Sequence, residues 1–265
     1  MSNYDKFDNY DRGNYSRSPH TSYDDATTYG VRNQEGTYNP SAVSTFSRVM
    51  TRVYMWMTVA LVLTAGAAYF TATIPALTQL VYGNTAVIWV LFIGELALVM
   101  GISMGINRLA PTTATALFLL YSLINGVTMS GIFFAYSIGA IYQAFAASAL
   151  TFGGMSIFGY TVKKDLSRLG SILIMALIGI IIASIVNIFW SNSTFDAIIT
   201  YLGVFLFVGL TAYDTQRIKA MSEAAEAYGD ADATSRVAIL GALSLYLDFI
   251  NLFLYILRLF GRSRD

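Results

Sequence analysis

Ser244, Asp248, Asn251, Tyr255 and Arg258 follow one another at intervals of 4, 3, 4 and 3 residues. On an α-helix that spacing stacks all five on one face, and the positions between them are almost all Leu, Phe and Ile. A carboxyl, an amide, a phenol and a guanidinium in one line can relay a proton or meet a cation. The competing reading is interhelical hydrogen bonding that only holds a bundle together. It suits Ser244, Asn251 and Tyr255 better than Asp248, because Asn would bind helices there without a charge. Two further acids, Glu95 and Asp214, lie inside or at the edge of apolar stretches. An ionisable group in hydrocarbon costs at least ~2.5–3.5 kcal/mol, so such groups face a bundle interior, a partner or water. The simplest role for Asp214 is a helix-end acid paired with Arg217 three residues on. If its carboxyl meets that of Asp248, the two cannot both ionise cheaply and would titrate as a pair. Such a pair senses pH without histidine, and the chain has a single histidine, His20.

The elements that must position these residues follow from the charge pattern. Of 265 residues 55% are hydrophobic and only 12% are charged, about half the charged share of a soluble domain. The mean hydropathy is +0.56. Sixteen Lys and Arg match sixteen Asp and Glu, so the basic excess of a nucleic-acid binder is absent. Charges are missing from residues 53–94, 109–162 and 169–195. A span needs roughly 20 apolar residues to cross about 30 Å of hydrocarbon. Pro75, Gly83 and Asn84 divide the first gap, and Tyr136 to Gly139 divide the second. The pattern predicts seven spans, Val53–Thr73, Thr85–Ile106, Thr112–Ala135, Ile141–Val162, Leu169–Trp190, Ala197–Tyr213 and Val237–Leu257. Runs such as Ile172–Ile182 lack the alternation of a transmembrane strand, so the spans are expected to be helical. The fold class is an all-α integral membrane protein. A lone polar stripe on an otherwise apolar seventh helix implies that the other helices enclose it.

Residues 1–47 differ in kind. They hold six acids, four cations and six tyrosines and no apolar run, so a disordered tail is expected, followed by a membrane domain over 48–265. The start has no charged, apolar and cleavage regions of a signal peptide, which makes the first span an uncleaved anchor. Arg48, Arg52, Arg108, Lys163, Lys164, Arg168, Arg217, Lys219 and Arg236 all fall on one side of the seven-span arrangement, whereas the connections near Gly83, Gly139 and Asn192 carry no Lys or Arg. That side should be the cytoplasm, and the N-terminus with it. Arg258, Arg262 and Arg264 conflict with the rule if the seventh span crosses fully, yet Val237–Leu257 is long enough to cross.

Many chemistries are excluded. No Cys is present, which removes disulfides, thiolate metal sites and a cysteine nucleophile. No span contains Lys or His, so a retinal Schiff base and the usual haem ligation are ruled out. No Gly-rich loop carries Lys and Ser or Thr in the order needed for nucleotide hydrolysis. Gly101 and Gly105 form a small-xxx-small pair suited to close helix approach, and Met100 and Met104 read as packing.

The segment Gly209-Leu-Thr-Ala-Tyr-Asp-Thr-Gln-Arg-Ile-Lys219 resembles the sixth-helix signature of the Bax inhibitor-1 family, the transmembrane Bax-inhibitor-motif proteins. Ala242-Leu-Ser-Leu-Tyr-Leu-Asp-Phe-Ile-Asn-Leu-Phe253 resembles the seventh, and Leu257-Arg-Leu-Phe-Gly261 continues it. Lys163-Lys164-Asp165-Leu166-Ser167 also fits, and the wording is most similar to bacterial members. The resemblance covers roughly residues 45–261. It implies seven helices with the seventh central and surrounded by the other six. It also implies a pH-sensitive calcium leak channel in a bacterial inner membrane, without catalysis or cofactor, Ca²⁺ being the transported ion. Asp214 and Asp248 would form the di-aspartyl pH sensor and bind Ca²⁺ transiently. Arg108 would be the latch onto Asp214, and Glu95 would pair with Arg258. Ser244, Asn251 and Tyr255 would complete the path. The expected surroundings are the lipid bilayer, Ca²⁺ and protons, with the protein a monomer and no nucleic acid partner.

Two other classes compete. A non-conducting regulator would bind a membrane partner such as a protease, and the tail favours that reading. An intramembrane aspartyl protease would use Asp214 and Asp248 to activate water, but the lead into the second aspartate is Leu245-Tyr246-Leu247 rather than glycine-rich.

Overall fold

The computed structural model describes residues 31–32, 38–190, 192–227 and 231–262. Most of the expected tail, including Tyr4 to Tyr29, lies outside the described residues. A two-residue antiparallel pairing, β1 (Val31–Arg32) with β2 (Tyr38–Asn39), precedes the helices. These are α1 (Pro40–Thr73), α2 (Pro75–Tyr82), α3 (Thr85–Gly105), α4 (Pro111–Met129), α5 (Ile132–Ala135), α6 (Ile138–Thr161), α7 (Ser167–Trp190), α8 (Ser193–Ala227) and α9 (Ala231–Arg262). Seven stretches are long and apolar enough to span a membrane, and each coincides with one span expected from the charge gaps.

Local chemistry sets the boundaries. Pro75 and Pro111 open α2 and α4, where a missing N–H costs nothing. The Asn84 side chain accepts from the Ala86 N–H at 2.9 Å and so caps α3, and Ser137 caps α6 by accepting from the Ala140 N–H at 3.3 Å. Asp165 accepts from the Ser167 N–H at 2.9 Å. These Ser167 hydrogen bonds hold the Asp165 carboxyl below the usual carboxylate range.

Helices α8 and α9 run well beyond their expected spans. Asp214 is therefore not a helix end, because α8 continues to Ala227. Gaps in charge locate only the hydrocarbon-crossing part of a helix. The Ala- and Glu-containing segment after Asp214 propagates a helix as well as an apolar one does.

Helix α9 packs against α1, α4, α6 and α8. In its most apolar stretch 67% of the residues are buried, against 6% in α3 and α7. Helix α3 packs on α2 and α4, and α7 packs on α8, so these two lie outermost. Close approach depends on two glycines. A side chain at Gly126 would collide with the α1 backbone at Thr64, and one at Gly159 with the α8 backbone at Ala212. The expected pair does not serve this purpose. Gly101 has no neighbour within 4 Å, and Gly105 faces only Leu109. Both sit on the sparsely packed α3, where no partner backbone comes near.

The seventh candidate span lies within one unbroken helix, α9, long enough for a full crossing. Helices α8 and α9 are joined by a short connection and pack along one another. Arg258 near the end of α9 reaches Asp196 at the start of α8, with Nη1 to Oδ1 at 3.4 Å. Arg258 therefore lies at the opposite end of the bundle from Arg217, and has a local acid beside it.

Candidate functional site

Four of the five stripe residues, Ser244, Asp248, Asn251 and Tyr255, line one cavity of about 1230 Å³ between α3, α7, α8 and α9. They occupy the face of α9 that the neighbouring helices leave least covered. Asp214, Tyr213 and Arg217 of α8 line the same cavity. The opposite walls are apolar, with Trp89 and Phe92 from α3 and Leu177, Ile181 and Ile185 from α7. The stripe thus borders a cavity that is polar on one side only, not the internal polar path its spacing suggested. The reason is compositional, since α3 and α7 contribute almost no polar side chain to it.

Asp248 is only 5% exposed. Its Oδ2 has no hydrogen-bond partner among the described residues. Asp248 lines this cavity together with Asp214 and with Arg217, three residues after Asp214 on α8. Arg108 is exposed in the turn between α3 and α4, and no hydrogen bond or ion pair among the described residues joins it to Asp214. Around the stripe, Asn251 donates to the Leu247 carbonyl at 2.8 Å. Tyr255 stacks on Phe207 with centroids 5.8 Å apart. The Arg258 guanidinium lies 5.9 Å from the centre of the Tyr255 ring.

Glu95 and Arg258 are not paired. Arg258 is with Asp196, whereas Glu95 accepts from Thr128 and from Asn125 Nδ2, the latter at 3.3 Å. Both donors lie on α4, the helix against which α3 packs. The hydrogen bonds continue inward. Tyr246 donates to Asn125 Oδ1 at 3.0 Å, and its hydroxyl is 2.6 Å from Thr64 Oγ1. Thr64 also donates to the Ser122 carbonyl at 2.9 Å. Four helices, α3, α4, α9 and α1, are thereby tied through one buried polar chain. Sequence reasoning missed Tyr246, Asn125, Thr128, Thr64 and Asp196. Asn125, an amide inside a charge-free gap, was the available signal. Tyr246 is indistinguishable from the apolar residues around it until its neighbours are known.

The site holds two carboxyls, and no group of three or more potential metal-ligating acids or histidines occurs among the described residues. A lasting Ca²⁺ site takes six to eight oxygens, so the arrangement can meet a cation briefly but not store it.

The comparisons with known proteins agree with the two helix signatures. The inner membrane protein YbhL of Escherichia coli is 47% identical over 215 residues, covering 81% of this chain and 92% of that protein. Uncharacterized proteins of Deinococcus radiodurans and Borreliella burgdorferi are 44% and 42% identical, covering 82% and 83% of this chain and 90% and 94% of theirs. The family model described as "Inhibitor of apoptosis-promoting Bax1" matches residues 46–265. With its seven apolar helices, the chain is a multi-pass membrane protein that belongs to the Bax inhibitor-1 family.

Proposed function

We propose that this protein is a pH-sensitive calcium leak channel in which Asp214 and Asp248 form the pH sensor. The observation that carries the reading is the unpartnered Asp248 oxygen in a cavity shared with Asp214. An unpaired buried charge is costly, so Asp248 needs a proton or a cation beside it. When the pair loses protons, the remaining charge must be met by a cation or by a change of packing, and the balance between closed and open arrangements shifts. Arg217, three residues on along α8, lines the same cavity as Asp214 and would take the role expected of Arg108. The sparsely packed α3 and α7 are the elements free to move. Carboxylates are hard oxygen ligands suited to Ca²⁺, and two of them allow rapid release. The clustering of nine cations on one side supports a cytoplasmic N-terminus. The protein would act as a monomer, without cofactor or catalysis.

Purified protein in liposomes loaded with a Ca²⁺-sensitive dye tests this. Wild type should carry Ca²⁺ down its gradient, and Asp248→Asn should change that flux severalfold. Identical flux in the two proteins would remove Asp248 from the mechanism.

A further inference from the structure

The cavity is too large and too apolar to be explained by ion passage. Its volume, about 1230 Å³, slightly exceeds the usual range for sites that enclose a drug-sized organic molecule. Its α3 and α7 walls are side chains such as Phe92, Ile181 and Phe189 that are also exposed at the surface of the bundle. Helix α3 packs on α2 and α4, and α7 on α8, so the mouth between them faces the lipid. A molecule reaching this cavity from the membrane gains little by moving its apolar part from lipid to protein. Selectivity must come from the polar wall, and that wall includes Asp248, whose buried Oδ2 has no hydrogen-bond partner among the described residues. The Asp214 carboxyl lies along the same wall. A basic head with an apolar stem complements this arrangement, because it can take the proton of the buried carboxyl and then pair with the carboxylate.

We propose that the cavity binds a lipophilic primary amine taken from the membrane, with its nitrogen at Asp248 and its alkyl chain between α3 and α7. The amine enters the hydrocarbon neutral. At the site the O–H bond of the protonated Asp248 carboxyl breaks and an N–H bond forms on the amine, leaving a carboxylate paired with an ammonium. The low surrounding dielectric strengthens that charge-assisted hydrogen bond. Arg217 also lines the cavity and disfavours the cation at its own end, which leaves Asp248 as the anchoring acid. The proposal goes beyond ion conduction and does not require it.

Trp89 lines the cavity and serves as the reporter. In a Trp56→Phe, Trp190→Phe protein held in lipid nanodiscs, dodecylamine bearing bromine in its chain is titrated against Trp89 fluorescence. The equally brominated dodecanol is the neutral control. Saturable quenching by the amine and only gradual, unsaturable quenching by the alcohol are expected. Asp248→Asn should weaken amine binding roughly tenfold or more. Ser244→Phe, which keeps the carboxyl but fills space beside it, should weaken it as well. Equal quenching by amine and alcohol would overturn the proposal, as would unchanged amine affinity in both variants. If Asp248→Asn does not elute as folded protein, the amine–alcohol contrast and Ser244→Phe decide the matter. Ca²⁺ flux is measured separately on the same proteins. Saturable amine binding without flux sinks only the leak reading, and Asp248-dependent flux without saturable binding sinks only the amine site.

Discussion

Tyr246 joins α9 to α4 and α1 through one hydroxyl. It is fully buried, with Phe118 and Tyr121 edge-on to its ring at 5.7 and 5.8 Å. Tyr246→Phe keeps the ring packing and removes the bond to Asn125, leaving a buried acceptor unsatisfied. The expected loss is about 1–3 kcal/mol of stability, read as a lower unfolding temperature in detergent. On the opposite side of the same helix Asp248 has no such partner. The contrast separates a tyrosine that holds the bundle together from an acid left available. At the membrane edge, Asp165 is depressed by its hydrogen bonds to Ser167. A depressed carboxyl contributes its cap above the unfolded pKa and loses it as pH falls through the lower folded value. Amide exchange at Ser167 should therefore rise only under strongly acidic conditions, and Asp165→Asn should blunt that change.

At the scale of elements, the charge-free gaps made seven spans legible because hydrocarbon excludes charge. They did not show how far α1, α8 and α9 extend, since outside the bilayer charged residues are compatible with helix. The stripe on α9 was legible because polar residues are rare there. What it faces was not, because the facing walls are apolar residues of α3 and α7 that look like any lipid-exposed helix. The approach of Asp214 to Asp248 depends on how α8 packs along α9, and spacing within each helix carries no such information. Contacts between elements supply two predictions. Gly159→Leu forces α6 away from the α8 backbone and should destabilise the protein by about 1–3 kcal/mol or prevent folding, measured by thermal unfolding. Gln216 of α8 holds the α6–α7 connection, accepting from the Leu166 N–H at 2.8 Å and donating to the Lys164 carbonyl at 3.0 Å. Gln216→Ala should raise hydrogen exchange in residues 162–167 while leaving α9 protected.

For the whole molecule, the charges are segregated rather than balanced. Nine cations fall on one side of the seven-span arrangement, and the Arg258–Asp196 pair sits at the other. Because no cysteine is present, single cysteines report topology cleanly. Lys163→Cys should react with an impermeant thiol reagent only from the cytoplasmic face, and Ser193→Cys only from the opposite face. Between the ends, both acids line one cavity whose α3 and α7 walls bury few of their residues against the rest of the protein. The central claim is that these acids act as one pH-sensing unit controlling Ca²⁺ flux. The most direct test is the pH profile of liposome Ca²⁺ flux for wild type, Asp214→Asn, Asp248→Asn and the double variant. Coupled acids predict that either single change flattens the profile and that the double change adds little further. A profile that keeps its wild-type pH dependence in the double variant would contradict the account.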